Sequence, residues 1–146
     1  MGRRGSGEGT ITGLYTVLVE GDDMSDPIAD AVRSILDGHI VLSRDLAAQN
    51  HFPAIDILQS TSRVMRDIVV PQHYAAARSV VEALAVYRRS EDLINLGAYK
   101  AGANAKLDRA IAMNGPITTF LRQNVEEKTS LGESVASLVK LAEALQ

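Results

Sequence analysis

The chain contains no cysteine or tryptophan, and only two of its 146 residues are phenylalanine. Without cysteine there is no disulfide and no thiolate ligand for zinc, which fits a reducing compartment such as the cytoplasm. The three histidines, His39, His51 and His73, do not have metal-ligand spacing, so no metal site is expected. The scarcity of aromatic side chains argues against a surface that stacks on single-stranded nucleic acid.

The chain also lacks a large excess of charge of either sign and any long apolar run. The net charge is −3 at pH 7, which argues against nucleic acid as a partner. No segment approaches the roughly 20 apolar residues of a membrane span, and no secretory signal is visible. No stretch matches GxxxxGK[ST], the loop that holds nucleotide phosphates. Hydrophobic residues make up 46% of the chain, which is enough for a packed core.

The first 70 residues mix strand and helix patterns. Residues 1–9 are rich in glycine and predict a flexible lead-in. Residues 14–19 are almost continuously apolar, which is typical of a strand buried on both faces. A helix is predicted from Pro27, with Asp26 as its N-cap and Gly38 as the glycine that ends it. A strand at 39–42, a short helix at 43–49 and an extended segment at 53–58 should follow.

From Pro71 onward the pattern is helical, and we place a domain boundary at Val70–Pro71. The first helix should bury the face that carries Tyr74, Ala77, Val81 and Leu84. Residues 97–104 form a break, and two short helices at 106–113 and 117–121 are predicted on either side of Gly115–Pro116. A capping box of Ser130 and Glu133 begins the last helix, whose apolar stripe is Val135, Leu138, Leu141 and Leu145.

Three short motifs contain side chains that could act on a ligand. Arg63 ends a Ser-Thr-Ser-Arg turn. A surface ion pair is the ordinary interpretation of such an arginine, and contact with a phosphate is the alternative. Phe52, in His-Phe-Pro-Ala-Ile-Asp, would ordinarily belong to a core. Residues 20–26 hold four acids and no base, which indicates either a solvated loop or a contact with a basic partner.

Residues 10–65, which contain these three motifs, closely resemble the C-terminal end of the nucleotide-binding domain in flagellar and type III secretion export ATPases. Those enzymes are relatives of the catalytic subunit of rotary ATP synthases. The resemblance implies the α/β end of a RecA-like nucleotide-binding domain, residues 1–70, followed by a C-terminal α-helical bundle domain, residues 71–146. It is densest over residues 9–69 and weakest after residue 128, and it is slightly closer to the flagellar than to the injectisome enzymes.

The resemblance also implies roles for particular residues. Arg63 matches the arginine that reaches into a neighbouring subunit's nucleotide site and stabilises the transition state. Phe52 and Pro53 match residues at the adenine, and the Phe-Leu-Arg-Gln segment leads into the opposite wall of that pocket through Gln123 and Val125. The acidic loop matches a pore loop that touches a coiled-coil stalk, and its partner-binding residues would be Asp22, Asp23, Ser25 and Asp26.

The implied function is export of flagellar or type III substrates, driven by ATP hydrolysis in a homohexameric ring. ATP and Mg²⁺ would bind the full-length parent. This chain lacks the phosphate loop, so alone it should be inactive and should hold no cofactor tightly. Export chaperone–substrate complexes and a stalk protein would be partners of a bacterial cytoplasmic enzyme peripheral to the inner-membrane export gate. The alternative is a non-catalytic module that binds chaperones, substrates or the stalk.

Overall fold

Within the described residues the fold combines two antiparallel sheets of two strands each and several short helices with three longer helices. A computed structural model describes residues 2–4, 9–19 and 27–145. In chain order its elements are β1 (Gly2–Arg4), β2 (Thr10–Thr12), α1 (Pro27–Ile35), β3 (Gly38–Leu42), α2 (Arg44–Ala48), β4 (Ile55–Ser62), α3 (Met65–Ile68), α4 (Pro71–Asn95), α5 (Ala105–Leu121) and α6 (Leu131–Glu143).

Strands β3 and β4 pair antiparallel and are connected through α2. Ser43 caps α2, because its hydroxyl accepts a hydrogen bond from the Leu46 N–H. The predicted strand, short helix and extended segment in this region are therefore confirmed. The prediction for Gly38 is wrong, since Gly38 begins β3 instead of ending α1. A Cβ at Gly38 would lie 2.6 Å from the Thr61 carbonyl oxygen, so glycine is needed there for close strand contact.

The predicted buried strand at residues 14–19 is wrong. Residues 13–19 form no regular secondary structure, and Leu14 and Leu18 are each 95% exposed. A strand needs a neighbour to pair its backbone N–H and C=O groups, and among the described residues no strand pairs with this segment. The adjacent residues Thr10–Thr12 do form a strand, which pairs with Gly2–Arg4. Residues 1–9, expected to be a flexible lead-in, therefore contain a strand.

The three long helices form the second layer, in which α4 packs against both α5 and α6. Val80, Ala83 and Ile117 form the buried centre. The residues packed around that centre are Leu84, Met113, Leu121, Leu138, Leu141 and Leu145. The buried residues of α4 are Ala76, Val80 and Ala83, whereas the predicted face contains Val81, which is 38% exposed. Alanines on the buried face allow two helices to approach α4 closely.

A single helix, α5, replaces the two short helices predicted around Gly115–Pro116. Pro116 lies inside α5, although proline has no N–H to donate to the carbonyl four residues earlier. Proline disfavours a helical preceding residue mainly by clashing with that residue's N–H and Cβ, and Gly115 has no Cβ. Ile117, which is 1% exposed, anchors the following turn in the core. Together these features explain why the helix continues.

The last helix begins as predicted. Ser130 and Glu133 form a capping box in which each side chain bonds the other residue's backbone N–H. The expected break at residues 97–104 is also confirmed, and Gly97 and Gly102 adopt positive φ there. Within the described ranges no helix is both long and apolar enough to cross a membrane.

Candidate functional site

Arg63 follows the last residue of β4 and is anchored to the C-terminal end of α1. Its backbone N–H donates to the Asp37 carbonyl at 2.8 Å. Its guanidinium donates through Nη1 to the Ser34 carbonyl at 3.0 Å and through Nη2 to the Arg33 carbonyl at 3.1 Å. The terminal carbonyls of a helix carry partial negative charge and favour a cation. The side chain is nevertheless exposed, so its remaining N–H groups are accessible to solvent.

Phe52 and Pro53 precede β4, at the opposite end of the sheet from Arg63. The Phe52 side chain is 50% exposed, so it is not a core residue. The Gln123 N–H donates to the Phe52 carbonyl at 2.8 Å, and this bond brings together two of the predicted adenine-pocket residues. Val125 lies in the same loop after α5 and is 98% exposed. The Phe52–Pro53 peptide bond is cis.

A cleft of about 160 Å³ lies between the α/β part and the long helices. His51, Arg88 and Arg122 are among its lining residues. His51 is only 7% exposed. Burial and the nearby positive charge of Arg122 lower the pKa of His51 from its ordinary value of 6.5. Both effects favour the neutral form of His51, which precedes Phe52 in the sequence.

Asp56 ends the His-Phe-Pro-Ala-Ile-Asp motif, although the sequence predicts no role for it. It is 4% exposed and accepts hydrogen bonds from three donors. These donors are the N–H groups of Leu58 and Gln59, at 2.9 and 3.2 Å, and the Gln59 Nε2, at 3.0 Å. An aspartate that bonds backbone N–H groups two or three residues ahead is a turn signal. That signal can be recognised in the sequence, although its effect on the strands cannot.

The predicted stalk-contact residues Asp22, Asp23, Ser25 and Asp26 lie outside the described residues. The predicted cap of α1 by Asp26 falls there too. In the part of the chain that the structure covers, no group of three or more His, Asp or Glu side chains could hold a metal ion.

Comparison with protein families divides the chain into two matching parts. Residues 1–62 match the nucleotide-binding domain of the ATP synthase alpha/beta family. Residues 69–140 match the C-terminal domain of the type III secretion ATPase EscN. The chain therefore combines the end of a nucleotide-binding domain with a helical C-terminal domain, which confirms the predicted fold class.

Individual relatives give the same result. A flagellum-specific ATP synthase of Bacillus subtilis is 53% identical over 140 residues, which cover 95% of this chain and 32% of the relative. A type 3 secretion system ATPase of Sinorhizobium fredii is also 53% identical over 140 residues, covering 95% of this chain and 31% of the relative. The chain thus spans about a third of the length of these relatives.

Solved structures agree with these relatives. The assembled ATPase EscN of enteropathogenic E. coli superposes with a TM-score of 0.83 at 46% identity, over 88% of this chain and 31% of that chain. EscN in complex with its central stalk EscO gives a TM-score of 0.74 at 45% identity, over 80% of this chain and 29% of that chain. The chain belongs to the flagellar and type III secretion ATPase family and corresponds to the C-terminal region of its members.

Proposed function

We propose that the chain is the C-terminal part of a ring-forming ATPase that drives flagellar or type III protein export. In this proposal Arg63 acts on the nucleotide of a neighbouring subunit, and Phe52 contributes to the adenine pocket of its own. The observation that carries the proposal is the geometry of Arg63 in a chain of this family. Its guanidinium is oriented by two carbonyls and remains exposed.

The donor count of Arg63 supports a phosphate contact. A guanidinium has five N–H donors, and two hydrogen bonds to α1 carbonyls leave three for a phosphate. The two bonds fix the plane of the group before a nucleotide arrives. A cation held in advance near developing negative charge stabilises a phosphoryl-transfer transition state, and an arginine finger contributes roughly three to five decades of rate.

The surroundings of Phe52 support an adenine contact. A half-exposed aromatic ring offers a face for stacking, and its backbone is tied to the loop after α5 through Gln123. Pro53 and the fully exposed Val125 would add apolar contacts to the base. ATP phosphates and Mg²⁺ would bind elsewhere in a longer protein, because this sequence has no phosphate loop.

The acidic loop is proposed to face a basic coiled-coil stalk. EscN assembles with its central stalk EscO, and four acids without a base attract a cationic helix. Changing Asp22, Asp23 and Asp26 together to Asn should weaken stalk binding, most strongly at low salt. Equal stalk affinity of both proteins across the salt range would refute this contact. In this proposal the full-length protein also binds export chaperone–substrate complexes. It lies in the cytoplasm, beside the membrane export gate.

Arg63→Ala, made in a ring-forming ATPase that contains this sequence, tests the catalytic role. Turnover should fall by at least about a hundredfold while nucleotide binding stays nearly unchanged, because the contact forms in the transition state. Arg66→Ala removes the same charge three residues later and is the matched control. Arg66 is exposed and should tolerate the change.

A mixing experiment distinguishes action across the subunit boundary from action within one subunit. Rings that mix Arg63→Ala subunits with phosphate-loop mutants should regain some activity, since some interfaces then have one intact half from each subunit. Unchanged turnover in Arg63→Ala would return this arginine to a structural role. The purified chain alone should not hydrolyse ATP, and activity that co-elutes with it through two columns would contradict the proposal.

A further inference from the structure

Strand β4 contains a large bulge between its two paired ends. The paired residues are Leu42 with Ile55, Val41 with Asp56, His39 with Thr61 and Gly38 with Ser62. Between the second and third pairs, β3 advances by two residues while β4 advances by five. A regular ladder continued from the Val41–Asp56 pair would place Leu58 opposite His39. The bulge therefore absorbs three residues of β4.

Asp56 closes this bulge from inside. Its carboxylate accepts the three hydrogen bonds from Leu58 and Gln59 described above. Ser60 completes the arrangement, because its hydroxyl donates to the Asp56 carbonyl at 2.6 Å and accepts from the Val41 N–H at 3.0 Å. A side-chain hydroxyl thus satisfies a backbone N–H of β3 where the regular ladder is interrupted.

The bulge determines where Arg63 lies relative to α1. Arg63 immediately follows Ser62, whose pairing with Gly38 aligns it with the end of α1. Without the bulge, Arg63 would lie three residues farther along β4, a displacement of about 10 Å at strand spacing. Its hydrogen bonds to the carbonyls of Arg33, Ser34 and Asp37 would then be lost.

We propose that Asp56 is a positioning residue for Arg63, and that Ser60 assists it. Asp56 does not touch the nucleotide in this scheme. It holds three residues in the bulge so that the guanidinium reaches the α1 carbonyls and faces outward in one fixed orientation. This inference rests on the proposed catalytic role of Arg63, and the two can be tested separately.

Substitutions at Asp56 and Ser60 form a graded series. Asp56→Ala removes all three acceptor contacts. Asp56→Asn keeps one oxygen that can accept from the backbone N–H groups but cannot accept from Gln59 Nε2, so it should recover part of the effect. Ser60→Ala removes only the hydroxyl bridge and is the milder variant should Asp56→Ala fail to fold. Asp92→Ala, at an exposed position of α4, is the matched control for loss of a carboxylate.

The first measurement uses the chain itself. Amide hydrogen exchange at Arg63 should become faster by about fivefold or more in Asp56→Ala and Ser60→Ala, since the bond to the Asp37 carbonyl weakens. NMR contacts between the Arg63 guanidinium and Ser34 should diminish in parallel. The melting transition should stay cooperative, and Asp92→Ala should leave the Arg63 signals unchanged.

The second measurement separates positioning from general destabilisation, in a ring-forming ATPase that contains this sequence. The kcat of Asp56→Ala should fall by about a hundredfold with little change in nucleotide affinity, because a small misplacement of a catalytic group has that effect. Asp56→Asn should be intermediate. Adding Asp56→Ala to Arg63→Ala should reduce kcat little further, since both changes remove the same contribution.

The results separate the two proposals. If the exchange and NMR signals of Arg63 are unchanged in Asp56→Ala and Ser60→Ala, the positioning role is wrong, whatever Arg63 does in catalysis. It is equally wrong if kcat and nucleotide affinity fall together, or if the two substitutions reduce kcat additively. If instead Arg63→Ala leaves kcat unchanged, the proposed catalytic role fails even where Asp56→Ala displaces Arg63.

Discussion

Replacing Pro116 with alanine should stabilise the chain. Pro116 is exposed inside α5, so removing its ring leaves no cavity. Alanine restores an N–H that can donate to the carbonyl of Ala112 and removes the steric conflict between the ring and the preceding turn. Both effects favour the folded helix.

The size of the gain follows from two opposing contributions. Proline in a helix interior is less favourable than alanine by about 3 kcal/mol. Proline also restricts the unfolded chain, which offsets that difference by up to about 1 kcal/mol. The net increase in the free energy of unfolding should therefore be about 2 kcal/mol. For a chain near 150 residues this corresponds to a rise in Tm of roughly 4–8 °C.

Gly115 gives this prediction an internal control. A Cβ at Gly115 would meet no atom within 4 Å beyond its chain neighbours, so Gly115→Ala should add about 0.5–1 kcal/mol in a regular helix. With Pro116 present, the new Cβ faces the proline ring and the gain should disappear. Gly115→Ala should thus stabilise only together with Pro116→Ala, and the double-mutant cycle should show this coupling.

Urea denaturation followed by circular dichroism at 222 nm gives the free energy of unfolding of four proteins: the unaltered chain, the two single variants and the double variant. An unchanged m-value is the check on two-state behaviour. A lower midpoint for Pro116→Ala would mean that packing around Ile117 requires the path imposed by proline. Additive effects of the two substitutions would refute the proposed reason for the glycine.

Three further predictions concern stability. The pKa of His51 is lower in the folded state than in the unfolded chain, so just below pH 6.5 the unfolded chain binds more protons than the folded protein. The free energy of unfolding should therefore fall as the pH drops through 6.5, and it should fall less steeply in His51→Gln. Ser130→Ala should lower the free energy of unfolding by about 1 kcal/mol, whereas Ser130→Asp should retain the cap and most of that stability. Ile117→Ala should lower it by about 2–5 kcal/mol and Ile117→Val by about 1 kcal/mol, and equal losses in urea titrations would contradict its place in the core.

The sequence alone predicts those helix ends that depend on residues only a few positions away along the chain. Ser130 caps its helix as expected, since a cap bonds backbone groups two or three positions away, and Ser43 caps α2 in the same way. Glycine is harder to interpret, because it permits positive φ and also close contact, and Gly38 serves the second purpose. Glycine and proline each usually end a helix, yet α5 continues through Gly115–Pro116 because the residue before the proline has no Cβ.

Contacts between distant parts of the chain could not be predicted in this way. The bonds from Arg63 to α1 span 29 and 30 residues, and the bulge at Asp56 is defined only by its partner strand. The strand prediction for residues 14–19 failed for a different reason. The apolar pattern there predicts a buried strand, but no strand among the described residues pairs with it. The family motifs identified Arg63 and Phe52 as candidates, while their surroundings required the structure.

The hydrogen bond from the Gln123 N–H to the Phe52 carbonyl has a practical consequence. It places a backbone amide, which NMR and mass spectrometry observe directly, one bond away from the residue proposed to stack on adenine. The chemical shift and exchange rate of this amide therefore provide an intrinsic reporter of that pocket, with no attached label. Titrating the chain with adenosine and following the Gln123 signal would measure even a weak contact at Phe52, independently of any turnover assay.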